Sequence, residues 1–175
     1  MSEPQHEDTT SVQSEAERLH VDYYESLWIR ISTVVLVIFV LGILFAGSAY
    51  SIQVPGVYAR IDPNTLLTPE VSQFAEPELR ELAPGRYEVY VRAQIWRFEP
   101  GEIRIPAGSK ITFYATSLDV QHGFKILDTN INMMVLPGQV STLTTEFNEP
   151  GTYNIICHEY CGALHHTMYG QIIVE

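Results

Sequence analysis

From Ile31 to Ala59 the chain carries no charged residue. At 1.5 Å per residue the run from Ile31 to Tyr50 alone makes a helix of roughly 30 Å, the thickness of a bilayer's hydrocarbon core. One membrane-spanning helix is therefore expected, over residues 27–52. A cleaved signal peptide has a basic leader and a shorter apolar stretch. Here seven acidic groups precede Ile31, with only Arg18 and Arg30 as bases, so the segment reads as an uncleaved anchor. Arg18 and Arg30 on one side against Arg60 on the other barely favour an inside N-terminus, so charge settles little about orientation.

Outside the helix the pattern divides three ways. Residues 1–26 are polar and acidic without an apolar period and read as a tail; His6 and His20 within it read as solvated. Residues 53–86 contain Pro55, Pro63, Pro69, Pro77 and Pro84 and read as an irregular linker. Residues 87–175 hold short β-branched or aromatic runs at Tyr87–Trp96, Glu102–Ile105, Lys110–Ala115, Val140–Phe147, Tyr153–Ile156 and Gln171–Val174, separated by Pro-Gly turns such as Pro100-Gly101 and Pro150-Gly151. Many short strands with frequent turn signals predict an all-β domain, an antiparallel sandwich or barrel. No repeat or low-complexity segment interrupts it.

At 175 residues there is room for one modest domain plus appendages, not a large enzyme. The net charge of -11, with Lys only at 110 and 125, excludes a nucleic-acid partner, because phosphate binding needs a basic surface. An acidic surface serves solubility and also steers a basic redox protein by long-range attraction.

The chemistry concentrates in Cys157-His158-Glu159-Tyr160-Cys161-Gly162-Ala163-Leu164-His165-His166-Thr167-Met168. Soft sulfur beside imidazole selects copper. One Cys with two His and an axial Met makes a mononuclear blue-copper site. Two thiolates four residues apart can instead bridge a copper pair, leaving each ion one imidazole and one weak ligand to complete it, the arrangement of a binuclear CuA centre. His122 is the candidate for the second imidazole. Two paired cysteines outside the cytoplasm more often form a disulfide, and two Cys with two His also suit a closed zinc site. Met168 would be idle in either. Alone, Met168 reads as core filler and His165 as a surface histidine; the spacing C-x3-H-x2-M changes both readings. Cys157 follows the strand-like Tyr153–Ile156 and Met168 precedes the last strand, so the ligands fall in one loop clamped by a sheet at both ends. Such a loop keeps one geometry in both oxidation states.

The motif C-x-E-x-C-x3-H-x2-M, with Asp119-Val120-Gln121-His122-Gly123-Phe124 upstream, resembles subunit II of the haem-copper oxidases, most closely the compact B-type members. The likeness extends through Asn130-Ile131-Asn132, Val135-Leu136-Pro137-Gly138 and Arg97-Phe98-Glu99-Pro100. The resemblance implies a cupredoxin Greek key and a subunit of a cytochrome-c oxidase, an oxidoreductase and translocase, in which this chain alone is an electron-transfer module. It implies that His122 and Met168 complete one copper while His165 and the backbone carbonyl of Glu159 complete the other, with His158 and His166 left free. The Glu159 carboxylate matches a magnesium ligand at the interface with the large subunit, a position where some B-type members carry an amide. Trp96 matches an exposed aromatic above the copper pair where the donor docks, the electron port; its plain alternative is a β-core aromatic. Glu25, in Tyr24-Glu25-Ser26-Leu27-Trp28, matches the mouth of the large subunit's proton channel, or is only a helix-dipole partner.

The implied partners are the haem-bearing subunit I, small subunits, membrane lipid and a soluble donor, cytochrome c or a blue copper protein. The implied location is a prokaryotic plasma membrane, crossed once, with the N-terminus cytoplasmic and the CuA domain outside. The implied reaction passes electrons to haem for reduction of oxygen to water with proton pumping. A CuA subunit of a membrane nitric oxide reductase would share the ligand loop. A copper chaperone of thioredoxin type would need a βαβ context that the all-β pattern does not provide.

Overall fold

The computed structural model describes residues 23–49 and 56–175. The chain divides into two compact units, Met1–Tyr50 and Ser51–Glu175. The described part of the first is one helix, α1, Tyr23–Ala49. Its 27 residues span roughly 40 Å, more than the hydrocarbon core requires. Within α1 the hydroxyls of Thr33 and Ser48 donate to the carbonyls of Ile29 and Leu44 at 2.8 and 2.9 Å, so neither needs a partner from outside the helix. The helix starts four residues before the expected position 27, absorbing Tyr23–Ser26. The rest of the polar tail, with His6 and His20, and the expected last turn at 50–52 lie outside the described residues.

The second unit is two sheets. Strands β1 (Gly56–Arg60), β2 (Leu79–Ala83), β3 (Arg86–Gln94), β4 (Arg97–Glu99), β5 (Glu102–Ile105), β6 (Ser109–Ser117), β7 (His122–Ile126), β8 (Asn132–Val135), β9 (Gln139–Phe147), β10 (Gly151–Ile156) and β11 (Tyr169–Val174) follow in chain order. One sheet runs β1-β9-β6-β3-β2 with β4 on β3; the other runs β5-β11-β10-β7-β8. Side chains alternate across each strand. Val89, Val91 and Ala93 of β3, Ile111, Phe113 and Ala115 of β6, and Ile172 and Val174 of β11 all point into the core. Pairing is not antiparallel throughout, as the turn signals suggested: β3 pairs β6 and β5 pairs β11 in parallel. The chain crosses between sheets after β4 and again after β5, and a strand that returns through a crossover comes back in the same direction. Alternation reports the buried face of a strand, not its direction.

Residues 53–86 are not an irregular linker where the structure describes them. The stretch supplies β1 and β2, the two edge strands of the larger sheet, and between them a segment that buries Leu66 and Phe74 against Tyr90 and Val140 on that sheet's outer face. The described prolines sit where a missing N–H is harmless. Pro63 opens a 3-10 turn capped by Asp62, Pro69 and Pro84 lie in turns, and Pro77 precedes β2, consistent with edge strands. Arg92 fastens this segment to the sheet, its Nη1 donating to the Phe74 and Ala75 carbonyls at 2.9 and 3.1 Å and its other nitrogens to Glu99. Burial opposes ionisation of Glu99 more than any other single influence. The bond and charge of Arg92, then those of Arg97, together outweigh it and hold the carboxyl below its ordinary value.

Arg92→Ala is expected to cost roughly 2–4 kcal/mol, because it leaves a half-buried carboxylate with only the more exposed Arg97 and deprives two carbonyls of their donor. A denaturant midpoint against wild type measures this; a shift within error would mean the segment is held without Arg92. With its folded pKa depressed, Glu99 contributes stability above its unfolded pKa. That contribution is lost as pH falls through the folded value, so the gap between wild type and Arg92→Ala should narrow in acid.

Candidate metal centre

Strand register brings the donors together. β10 pairs antiparallel with β7, Ile156 opposite Lys125, so the residues just after β10 lie beside the start of β7, where His122 stands. The loop from Cys157 to Met168 is closed at its base by a bond from the Cys157 amide to the Met168 carbonyl at 3.3 Å, and inside it the amides of His165 and Met168 bond back to Gly162 and His165. A 3-10 turn at His165–Thr167 carries the chain from His165 round to Met168.

Cys157 and Cys161 are free thiols with Sγ atoms 3.9 Å apart, far beyond the roughly 2.05 Å of a disulfide. Cys157 Sγ lies 3.9 Å from His122 Nδ1 and 3.2 Å from the Glu159 carbonyl. Cys161 Sγ lies 3.5 Å from His165 Nδ1 and 3.7 Å from Met168 Sδ. The ligand atoms of His122, Cys157 and Cys161 fall within 4.8 Å of one another, all buried. Burial, then the neighbouring Cys157, pushes the Cys161 thiol up to about 11, so this thiol ionises at neutral pH only against a cation that replaces its proton. Two thiols, two imidazoles and a thioether fit a soft thiophilic metal, and Met168 in the cluster favours copper over zinc.

All five side chains expected as ligands, and the Glu159 carbonyl, converge here. The Glu159 carboxylate points away, at 3.4 Å from Gln121 Nε2 and 3.6 Å from His158 Nδ1. His166 is exposed. His158 lays its ring on Gly123, where a Cβ would come within 2.5 Å of the imidazole. Trp96, in the two-residue turn between β3 and β4, is half-buried. Its indole sits over Gly162, whose φ is +123° and whose added Cβ would meet Nε1 at 3.1 Å. Glu25 is exposed in the first turn of α1.

Asp119 is the functional candidate that sequence reasoning did not single out. It accepts from His122 Nε2 at 2.8 Å and from the Ile95 amide at 2.7 Å. Burial works against its ionisation, yet the His122 bond and the Ile95 and Val120 amides together hold its carboxyl below the ordinary value. A carboxylate three residues before a candidate ligand His was the available signal.

Residues 94–175 match the family described as cytochrome c oxidase subunit II, periplasmic domain. The chain is 38% identical over 156 residues to cytochrome c oxidase subunit 2 of Thermus thermophilus, covering 87% of this chain and 92% of the relative. It is 43% identical over 122 residues to a second Thermus thermophilus protein of that name, covering 69% and 89%. Among solved structures it overlays a chain from a cryo-EM structure of a haem-copper terminal oxidase dimer with a TM-score of 0.73 at 34% identity, over 87% of this chain and 99% of that one. With the relatives matched along nearly their whole length and the candidate donors gathered where the loop between the last two strands meets His122 of β7, this chain belongs to the cytochrome c oxidase subunit II family, an apolar helix followed by a copper-type cupredoxin domain.

Proposed function

We propose that this chain receives single electrons from an external redox protein, cytochrome c or a blue copper protein, and delivers them to haem in subunit I for reduction of oxygen to water with proton pumping. The observation that carries this is the pair of unbonded thiols 3.9 Å apart, each within 4 Å of an imidazole nitrogen. Cys157 and Cys161, with His122, Met168, His165 and the Glu159 carbonyl, would hold a copper pair, which when bound would supply one-electron chemistry with little rearrangement. The sheet on either side of the loop holds these donors in place, and their burial keeps water off the sulfurs. Trp96 is the electron port: it lies against Gly162, next to Cys161, with exposed Ile95, Tyr160 and Leu164 offering an apolar face for a donor.

The Glu159 carboxylate supplies one hard oxygen ligand toward magnesium, with subunit I providing the rest, and Glu25 stands at the proton-channel mouth of subunit I. Small subunits and lipid complete the assembly. The helix anchors the chain once in a prokaryotic plasma membrane, N-terminus cytoplasmic, with the copper domain on the outer side.

The test is copper content and EPR of the full-length chain in detergent. Two coppers per chain and a seven-line hyperfine pattern, one electron shared between two nuclei, are expected; one copper or a four-line signal would end the binuclear reading. Oxygen against nitric oxide consumption by the purified complex separates an oxidase from a nitric oxide reductase.

A further inference from the structure

Asp119 sits where the ligand cluster and the Trp96 turn meet. Its Oδ1 accepts from His122 Nε2 at 2.8 Å, the Val120 amide at 2.6 Å and the Ser117 hydroxyl at 3.3 Å. Its Oδ2 accepts from the Ile95 amide at 2.7 Å. The His122 side chain is completely buried, and its other ring nitrogen faces Cys157. A carboxylate has only lone pairs to offer, so the imidazole nitrogen facing it carries the hydrogen. In the neutral ring that is the Nε2–H form, whose Nδ1 lone pair faces Cys157, the state a metal requires. The second oxygen, meanwhile, holds the amide of the residue before Trp96.

We propose that Asp119 is a positioning residue for both ends of the electron path: one oxygen sets the tautomer of His122, and the other pins the Ile95–Trp96 turn above the ligand loop. The purpose of this arrangement rests on the copper reading given above, but the two bonds join this chain's own groups and are testable without copper.

Asparagine gives the sharp variant because it has the same shape with one acceptor fewer. With its oxygen toward His122, its amide group meets the Ile95 N–H donor to donor. Turned over, it presents a donor to His122 Nε2, which relieves the conflict only by moving the ring hydrogen to Nδ1. One of the two functions must fail. Asp119→Ala removes both.

The experiment uses the full-length chain in detergent, metal-free at neutral pH. Imidazole 15N shifts read the His122 tautomer, and amide hydrogen exchange reads Ile95. Wild type is expected to show His122 as Nε2–H and a protected Ile95 amide. Asp119→Asn should lose one of these and Asp119→Ala both, with Ile95 exchanging at least about tenfold faster where its bond is lost. Copper affinity, by chelator competition, should fall roughly 10- to 100-fold in both variants.

Wild-type His122 in the Nδ1–H form, or an unprotected wild-type Ile95 amide, overturns the proposal without any variant having to fold. So does a folded Asp119→Ala that keeps either feature, or copper affinity unchanged in both variants. The wild-type copper count is scored separately. One copper per chain would remove the binuclear reading and leave the tautomer and amide results to decide Asp119.

Discussion

Cys157→Ser and Cys161→Ser are each expected to abolish the proposed copper pair, whereas Met168→Leu is expected to keep two coppers and shift only their potential. Both thiols are buried, and each is within 4 Å of an imidazole and of the other sulfur. In the binuclear reading proposed above each would serve both ions, so losing one would remove a ligand from both at once. A serine hydroxyl is no substitute, being hard and almost un-ionised at neutral pH where the soft ion needs a thiolate. Met168 Sδ lies 3.7 Å from Cys161 Sγ. It lies in the core, so leucine of similar volume preserves the packing while withdrawing one weak axial donor. Copper per chain, the EPR hyperfine pattern and a potentiometric titration separate the outcomes. Equal losses in all three variants would contradict this division of roles.

What could be read beforehand follows from how local each signal is. The ligand loop is contiguous from Cys157 to Met168, so its spacing was visible in one window, and the long strands β3, β6 and β9 declare themselves by alternation. β7 does not. Four of its five residues are buried, so no two-residue period exists, and His122, Gly123 and Lys125 are poor strand formers. β1 and β2 are short edge strands between prolines, where composition points to a loop, and the burial of Leu66 and Phe74 beneath them is a tertiary fact. The contacts that tie the site together are likewise remote in sequence: Asp119 meets an amide 24 residues away, and Trp96 rests on Gly162. No window covers such a pair. Motif resemblance pointed to the candidate ligands and the candidate port, but the carboxylate beside both had to be seen in place.

Trp96→Ala is expected to leave the copper spectrum intact and slow reduction by the protein donor by more than about tenfold. Two effects combine. Truncating an interface tryptophan costs about 2 kcal/mol or more, on the order of thirtyfold in donor affinity. The electron must also cross the gap left by the indole, and electronic coupling falls steeply with each ångström of empty space. A core role predicts differently: removing a fully packed tryptophan costs about 3–5 kcal/mol and would lower the melting point and the copper loading together. Trp96 packs on the core only at its margin, and its Nε1 is buried with no hydrogen-bond partner among the described residues, so its polar end adds little to stability. Gly162→Ala is the companion variant. Its Cβ would press within 3.1 Å of the indole, and at φ +123° any side chain is strained, so the ring must tilt away from the loop without being lost. Stopped-flow reduction beside a melting curve decides the matter. Slow donor kinetics with a full copper signal in both variants fits the port, whereas wild-type kinetics in fully loaded Trp96→Ala would show that electrons arrive elsewhere.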